Sequence, residues 1–272
     1  MIGENSKVIL ITGASSGIGK SIATYLSSLG HIVYGTSRNP EKYALHSTFT
    51  LVPLDVMNDV TIRDCVSQIM SRHQKIDVLI NNAGIGMMGP IEESTDAEIR
   101  KAFEVNFLGP LRVIRAILPH MRSHRQGLII NVTSMAGYMG LPFRGIYSAT
   151  KAALEVTTEA YRMEIKPFGV EMVNVAPGDF ATDVASRRIY VQLAETSPYS
   201  KIYTETLAMM DEHVDEGSDP ILMAKAVARI INSSNPKIHY KVATFMQRFS
   251  IVLKRILPDK MFEKLLLHHY KL

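Results

Sequence analysis

Tyr147 and Lys151 stand four residues apart in the run Tyr147-Ser148-Ala149-Thr150-Lys151, a spacing that puts both side chains on one helix face within reach of one ligand. An ammonium beside a phenol favours the phenolate and draws a tyrosine toward the range where it can pass a proton. Far upstream, Thr12-Gly13-Ala14-Ser15-Ser16-Gly17-Ile18-Gly19 spaces its glycines G-x-x-x-G-x-G. Glycine lets a backbone turn tightly against a pyrophosphate, and the first N–H groups of the helix that follows, with its dipole, favour the negative charge. Gly13, Ser15, Ser16, Gly17, Ile18 and Gly19 are therefore the candidate phosphate cradle. About 20 residues beyond these glycines an acid would bind the ribose 2′-hydroxyl of NAD, and here the chain reads Thr36-Ser37-Arg38-Asn39. A guanidinium suits a 2′-phosphate through paired hydrogen bonds, so Ser37 and Arg38 point to NADP(H). Asp55, with Val56 beside it, follows the next strand-like run and is placed at the adenine, although an Asp there also suits a turn.

Positioning such groups needs strands that end together. Short apolar runs alternate with helical periods: a strand near 7–12, a helix over 18–29, a strand near 32–35, then strand 49–54, helix 60–70 and strand 76–80. The rhythm continues with a long helical segment over 96–121, strand 127–132, helix 149–165 and strand 170–175. Apolar strands of this kind are buried on both faces, which predicts a single α/β domain over 1–272: a doubly wound parallel sheet of Rossmann type with helices on both sides. Residues 179–220, rich in Tyr, Thr, Ser and Glu, show no long period and are expected to form a substrate loop or lid.

The glycines, the run Asn81-Asn82-Ala83-Gly84 after the fourth strand, Ser134 after the fifth, and Tyr147 with Lys151 together resemble the short-chain dehydrogenase/reductase family over about residues 7–182. The resemblance implies hydride transfer between a nicotinamide and a carbonyl/alcohol pair, with Tyr147 as acid or base and Ser134 on the same oxygen. Lys151 would also grip the nicotinamide ribose, and Asn106, in Val105-Asn106-Phe107, would hold a water linking Lys151 to solvent. Asn82, Ala83 and Gly84 would border the adenine-side ribose, and Pro177, Gly178 and Thr182 match the family's cofactor-side loop. A homodimer or homotetramer, through the helices at 96–121 and 149–165, is part of the same expectation.

The substrate end is apolar. Gly86-Met87-Met88-Gly89, Met135 and Tyr138 to Phe143 supply thioethers and aromatic surface, and the loop adds Tyr190, Tyr199, Met209 and Met210. Met88, Met135 and Phe143, with Ser134 and Tyr147, are the candidate substrate contacts for a lipophilic carbonyl compound, and the family branch most similar is that of steroid, retinoid and lipid-ketone reductases. Met and aromatic residues equally fill cores or subunit contacts. The tail 245–272 interleaves Phe249, Val252, Leu253, Ile256 and Phe262 with Arg248, Lys254, Arg255 and Lys260, broken at Pro258. It reads either as helices over the substrate pocket or against another subunit, or as a basic amphipathic surface on an anionic membrane.

The bulk numbers narrow the class. In 272 residues, 46% are hydrophobic and 21% charged, as in globular proteins. The net charge of +4 is scattered rather than gathered, which speaks against nucleic acid. Cys65 is the single cysteine, so no disulfide framework forms and a reducing cytoplasm fits. Residues 1–7 leave no room for a signal peptide, no apolar run is long enough to span a bilayer, and no metal site is expected. Two other readings compete with the enzyme: a dinucleotide sensor without turnover, which would not need all of Asn106, Ser134, Tyr147 and Lys151, and a membrane-surface binding protein built on the tail.

Overall fold

The structure is a computed structural model describing residues 6–43, 47–182, 188–215 and 217–272, with 211–215 described by backbone alone. The N-terminal segment 1–5 and part of the expected lid, 183–187, lie outside the described residues. Strand β1 (Val8–Ile11) leads through α1 (Gly17–Ser28) to β2 (Ile32–Ser37) and β3 (Thr50–Pro53). Helix α2 (Asp59–His73) then returns the chain to β4 (Val78–Asn81). After a short β5 (Met87–Met88), helix α3 (Asp96–Phe103) runs through a π turn at Glu104–Leu108 into α4 (Gly109–Ser123). The core closes with β6 (Gly127–Val132), α5 (Gly145–Ile165) and β7 (Val170–Pro177).

Seven strands form one sheet in the order β3-β2-β1-β4-β6-β7-β9, where β9 is His239–Val242, and every pairing is parallel. The order reverses at β1, between β2 and β4, and in such sheets ligands sit beyond the strand ends at this point. Alternate side chains explain the two layers. Val8 and Leu10 of β1 join Leu79, Ile129 and Met172 under α2 and α4, whereas Ile9 and Ile11 join Ile80, Ile130 and Val175 under α1 and α7 (Ile221–Ile231). Each such Ile or Leu, fully buried, contributes about 1.5–3 kcal/mol. A buried polar ladder ties the strands to α5: Asn81 Nδ2 donates to Asn131 Oδ1 at 2.9 Å, and Asn131 Nδ2 to Thr158 Oγ1 at 2.9 Å.

Three expectations change. Residues 179–220 are not without long structure: β8 (Ile189–Tyr190) pairs with β5, and α6 (Ser200–Asp215) follows. The helical period was present in Tyr203, Thr206 and Met210, all buried, but the Thr at its centre masks the apolar face. Helix α5 starts at Gly145 rather than Ala149, so Tyr147 lies in its first turn. Beyond the expected elements, α7 and β9 extend the sheet past β7. The tail forms α8 (Phe245–Ile256) and α9 (Asp259–Tyr270), divided at Pro258, with Ile251 and Phe262 as their inward anchors. Among the described residues no helix is long and apolar enough to cross a membrane.

Candidate active site

The turn after β1 is held by its neighbours rather than by its own length. Thr12 Oγ1 accepts from the Asn82 and Ala83 amides at 3.0 Å each, and Asn82 Nδ2 donates to the carbonyls of Thr12 and Gly13 at 3.0 Å each. Gly13 has φ +67°, and a Cβ there would stand 2.9 Å from Ala83 Cα. At Gly19 a Cβ would overlap the Asn82 amide and the Gly13 carbonyl. Only glycine allows this close stack, which brings backbone to the cavity surface. Ser16 caps α1 without a side-chain bond, so the helix presents its first N–H groups outward, as an anion site requires. The donor set and the space beside the glycines fit a dinucleotide pyrophosphate.

One cavity of about 1200 Å³ runs from this turn to the tail helices. Its lining includes Gly13, Ser15, Ser16, Gly17, Ile18, Gly19, Ser37, Arg38, Asp55 and Val56. Asn82, Ala83, Gly84, Pro177, Gly178 and Thr182 line the same cavity. Asp55 Oδ1 also accepts from the Met57 amide at 2.9 Å, so the residue makes a turn as well as facing the cavity. Asn82 is chiefly the clamp of the glycine turn, a role invisible in the sequence.

Tyr147 and Lys151 of α5 and Ser134, two residues past β6, all line this cavity. The Lys151 ammonium donates to Val132 O at 3.0 Å and lies 6.0 Å from the centre of the Tyr147 ring. Burial pushes its pKa below the ordinary lysine value, while Tyr147 and Glu155 pull it back up. Ser134 Oγ accepts from the Ala136 amide at 3.1 Å, which occupies a lone pair and leaves the hydroxyl hydrogen to donate elsewhere. Arg144, at the N-cap of α5, holds its guanidinium 5.4 Å from the Tyr147 ring centre.

Asn106 is fully buried in the π turn and does not line the cavity. Its Oδ1 accepts from the Ile85 amide and its Nδ2 donates to Ile85 O, both at 2.8 Å, and Nδ2 also reaches Thr150 Oγ1 at 3.2 Å. A Cβ on Gly84 would stand 3.2 Å from Asn106 Oδ1 and 3.5 Å from Lys151 Nζ, so both side chains adjoin Gly84. Such π turns recur at functional sites.

The substrate wall departs from expectation. Met135 lines the cavity, but Met88 and Phe143 do not. Met88 is buried beneath Tyr203, whose hydroxyl donates to Met88 O at 3.0 Å, and Phe143 packs its ring 5.4 Å from that of Tyr203. Tyr190 and Met209 join this packed cluster, Tyr199 is held by Glu92, and Met210 alone of the four reaches the cavity. The wall is supplied instead by Met139, Leu141, Leu253, Phe262 and Leu266. Helix α8 turns Met246, Ser250 and Leu253 to the cavity and leaves Phe245, Phe249, Val252 and Ile256 exposed on its other face. Gln247 of the same helix donates to Asp179 Oδ2 at 2.6 Å and lies against Gly178, where a Cβ would also stand 2.8 Å from Ala243 Cβ. Glu155, four residues beyond Lys151, escaped the sequence reading although the helical period places it on the same face.

Residues 7–190 match the family of short chain dehydrogenases. The chain is 38% identical over 258 residues to a 3-ketodihydrosphingosine reductase of Bacteroides thetaiotaomicron, covering 94% of this chain and 95% of that protein. It is 31% identical over 257 residues to retinol dehydrogenase 8 of Bos taurus, covering 88% and 82%. A crystal structure of a short chain dehydrogenase from Burkholderia cenocepacia in complex with NADP superposes with a TM-score of 0.73 at 26% identity, over 94% of each chain.

Proposed function

The chain belongs to the short chain dehydrogenase family, and from that premise we propose that this oxidoreductase reduces a lipophilic ketone or aldehyde with NADPH, using Tyr147 as the acid. One observation carries the reading: Ser134, Tyr147 and Lys151 meet inside a cavity bounded at one end by the glycine turn and at the other by Met139, Leu253, Phe262 and Leu266. The nicotinamide, when bound, supplies hydride. Ser134 donates to the carbonyl oxygen and Tyr147 hands that oxygen a proton, which Lys151 assists by favouring the phenolate left behind. Lys151 has the reach to hold a ribose hydroxyl beside Gly84 as well. Arg38, at the cavity rim just past β2, supports NADPH because a guanidinium pairs with a 2′-phosphate dianion. The sphingoid and retinoid names of the two relatives support a lipid-like substrate, a steroid, retinoid or long-chain ketone in chemical type.

The tail helices support a second element of the proposal. Phe245 and Ile256, 70% and 67% exposed, share a face of α8 with the half-exposed Phe249 and Val252, and Arg248, Lys254 and Arg255 lie on the same helix. An apolar stripe rimmed by cations suits peripheral contact with an anionic bilayer, and Leu253 of this helix lines the cavity, so a lipid-soluble substrate would have a short path. Val156 and Met163, exposed on α5, support a homodimer or homotetramer through that helix, and the reduced Cys65 suits a cytoplasmic setting. The test is NADPH oxidation across a panel from small polar ketones through steroids, retinals and long-chain keto-lipids. Turnover confined to the lipophilic members is the expected result; turnover on small polar carbonyls alone would sink the substrate reading.

A further inference from the structure

Helix α5 carries Tyr147, Lys151, Glu155 and Glu159 at a spacing of four, and the face they share looks onto the ends of β6, β7 and β9. Glu155 is 5% exposed, and a carboxylate so deep needs donors on its oxygens. It has them from β7, from β9 and from the residue just past β6. Thr133 Oγ1 donates to Oε1 at 2.5 Å, while Asn174 Nδ2 and His239 Nδ1 meet Oε2 at 2.9 and 2.8 Å. The His239 ring then reaches Glu159 Oε1 through Nε2 at 3.0 Å.

Thr133 occupies a telling place. Its predecessor Val132 offers the carbonyl that takes the Lys151 ammonium, and its successor is Ser134. A bond from Glu155 to Thr133 therefore fixes from behind the strand end that orients both groups at the reacting centre. The same carboxylate is the anion one helical turn below Lys151, in a setting where burial alone disfavours the ammonium.

We infer that Glu155 is a positioning residue of the proposed reaction: its buried carboxylate keeps the Lys151 ammonium charged and tethers Val132–Ser134, with His239 holding the carboxylate in place. This rests on the reading of Tyr147 and Lys151 as the reacting pair. The other groups facing this cluster are few among the described residues. Tyr147 lies above Lys151 with Arg144 over its ring, and Tyr138 stands beside Glu155 beneath the Lys241 ammonium of β9, with Arg255 of α8 and Glu159 of α5 acting on it. Burial first, then Glu155, pushes the Tyr138 phenol above the usual range, so Tyr138 brings no charge at working pH. Asn106, on the far side of Gly84, is neutral.

The decisive variant is Glu155→Gln, which keeps shape and one acceptor but removes the charge. With Lys151 less supported, its ammonium is lost at lower pH, so the alkaline limb of the kcat/KM profile should move down by about one pH unit, a tenfold loss on that limb. The acid side of the profile should change far less, and Glu155→Asp, which restores the charge, should return the limb toward its original place. A profile of unchanged shape, scaled down uniformly with a lower Tm, would overturn the electrostatic role and leave a merely structural carboxylate. Should Glu155→Gln fail to fold, Thr133→Val tests the tether: kcat should fall severalfold with NADPH binding intact and the limb in place. A kcat within about twofold of the parent, despite lower Tm, would overturn it. Tyr147→Phe separates the two levels: if that variant still turns over, the reaction reading fails, whereas a dead Tyr147→Phe with an unmoved Glu155→Gln limb defeats this inference alone.

Discussion

The two ends of the cavity are built from different material. The nucleotide end is backbone: a glycine turn, the first turn of α1 and the Asn82–Gly84 strand end, locked by the bonds of Asn82 and Thr12. The other end, the proposed substrate end, is side chain: Met135, Met139, Met210, Leu253, Phe262 and Leu266, drawn from four separate stretches of the chain. This backbone surface tolerates almost no change at Gly13 and Gly19, because a Cβ there would collide with Ala83, Asn82 or the Gly13 carbonyl. A wall of thioethers and leucines can repack around shapes that differ by a methylene or a ring. The contrast explains how one cofactor site can be shared across a family while relatives carry names as different as a sphingoid reductase and a retinol dehydrogenase.

The sharpest break is at the boundary between the two ends. Tyr147→Phe should lower turnover by about a hundredfold to ten-thousandfold, the range for a lost general acid, while NADPH titrated by fluorescence binds as before; a loss of binding equal to the loss of turnover would mean that the ring serves the nucleotide end instead. Next in size, Arg38→Asp should weaken NADPH by about tenfold to a hundredfold relative to NADH, as expected for a lost charge-assisted pair. An unaltered preference in competition kinetics would remove Arg38 from the 2′-phosphate.

A smaller effect probes the outer face of the substrate end. Replacing Phe245 and Phe249, whose rings stack at 5.9 Å, by serine together should reduce co-sedimentation with anionic vesicles severalfold and leave reduction of a water-soluble ketone unchanged. Equal sedimentation of parent and variant would show that this stripe meets something other than lipid. The smallest expected effect is at Cys65, on the buried face of α2, with its thiol pushed up to about 12 by desolvation. Iodoacetamide at neutral pH should leave both Cys65 and activity untouched until the protein is unfolded; rapid labelling of the native enzyme would contradict so tight a core on that face of the sheet.

How legible each part was follows from how it is made. The strands and most helices could be read because burial on both faces of a parallel sheet leaves unbroken apolar runs, as at Val8–Ile11 and at Val78, Leu79 and Ile80. Helix α6 could not, because its buried face includes Thr206 while apolar Ile202 is exposed on it, which blurs the helical period. The candidate side chains Ser134, Tyr147 and Lys151 all line the one cavity, whereas Asn106 is buried outside its lining. What Asn106 and Asn82 bond to was not legible, since a side-chain amide is the same letter whether it faces a ligand or clamps a loop.

The sequence by itself determined the alternating α/β architecture, the glycine turn and the pairing of Tyr147 with Lys151 on one helix face, because these depend on spacings within a few residues and on the conformations that local chemistry allows. Tertiary structure alone decided which apolar residues face the cavity. Met88 and Phe143 disappear under Tyr203 while Leu253 and Phe262, more than a hundred residues beyond Tyr147, come back to cover it. Burial rewards an apolar side chain equally in a packed cluster and in a pocket wall, so only the three-dimensional path of the chain distinguishes the two.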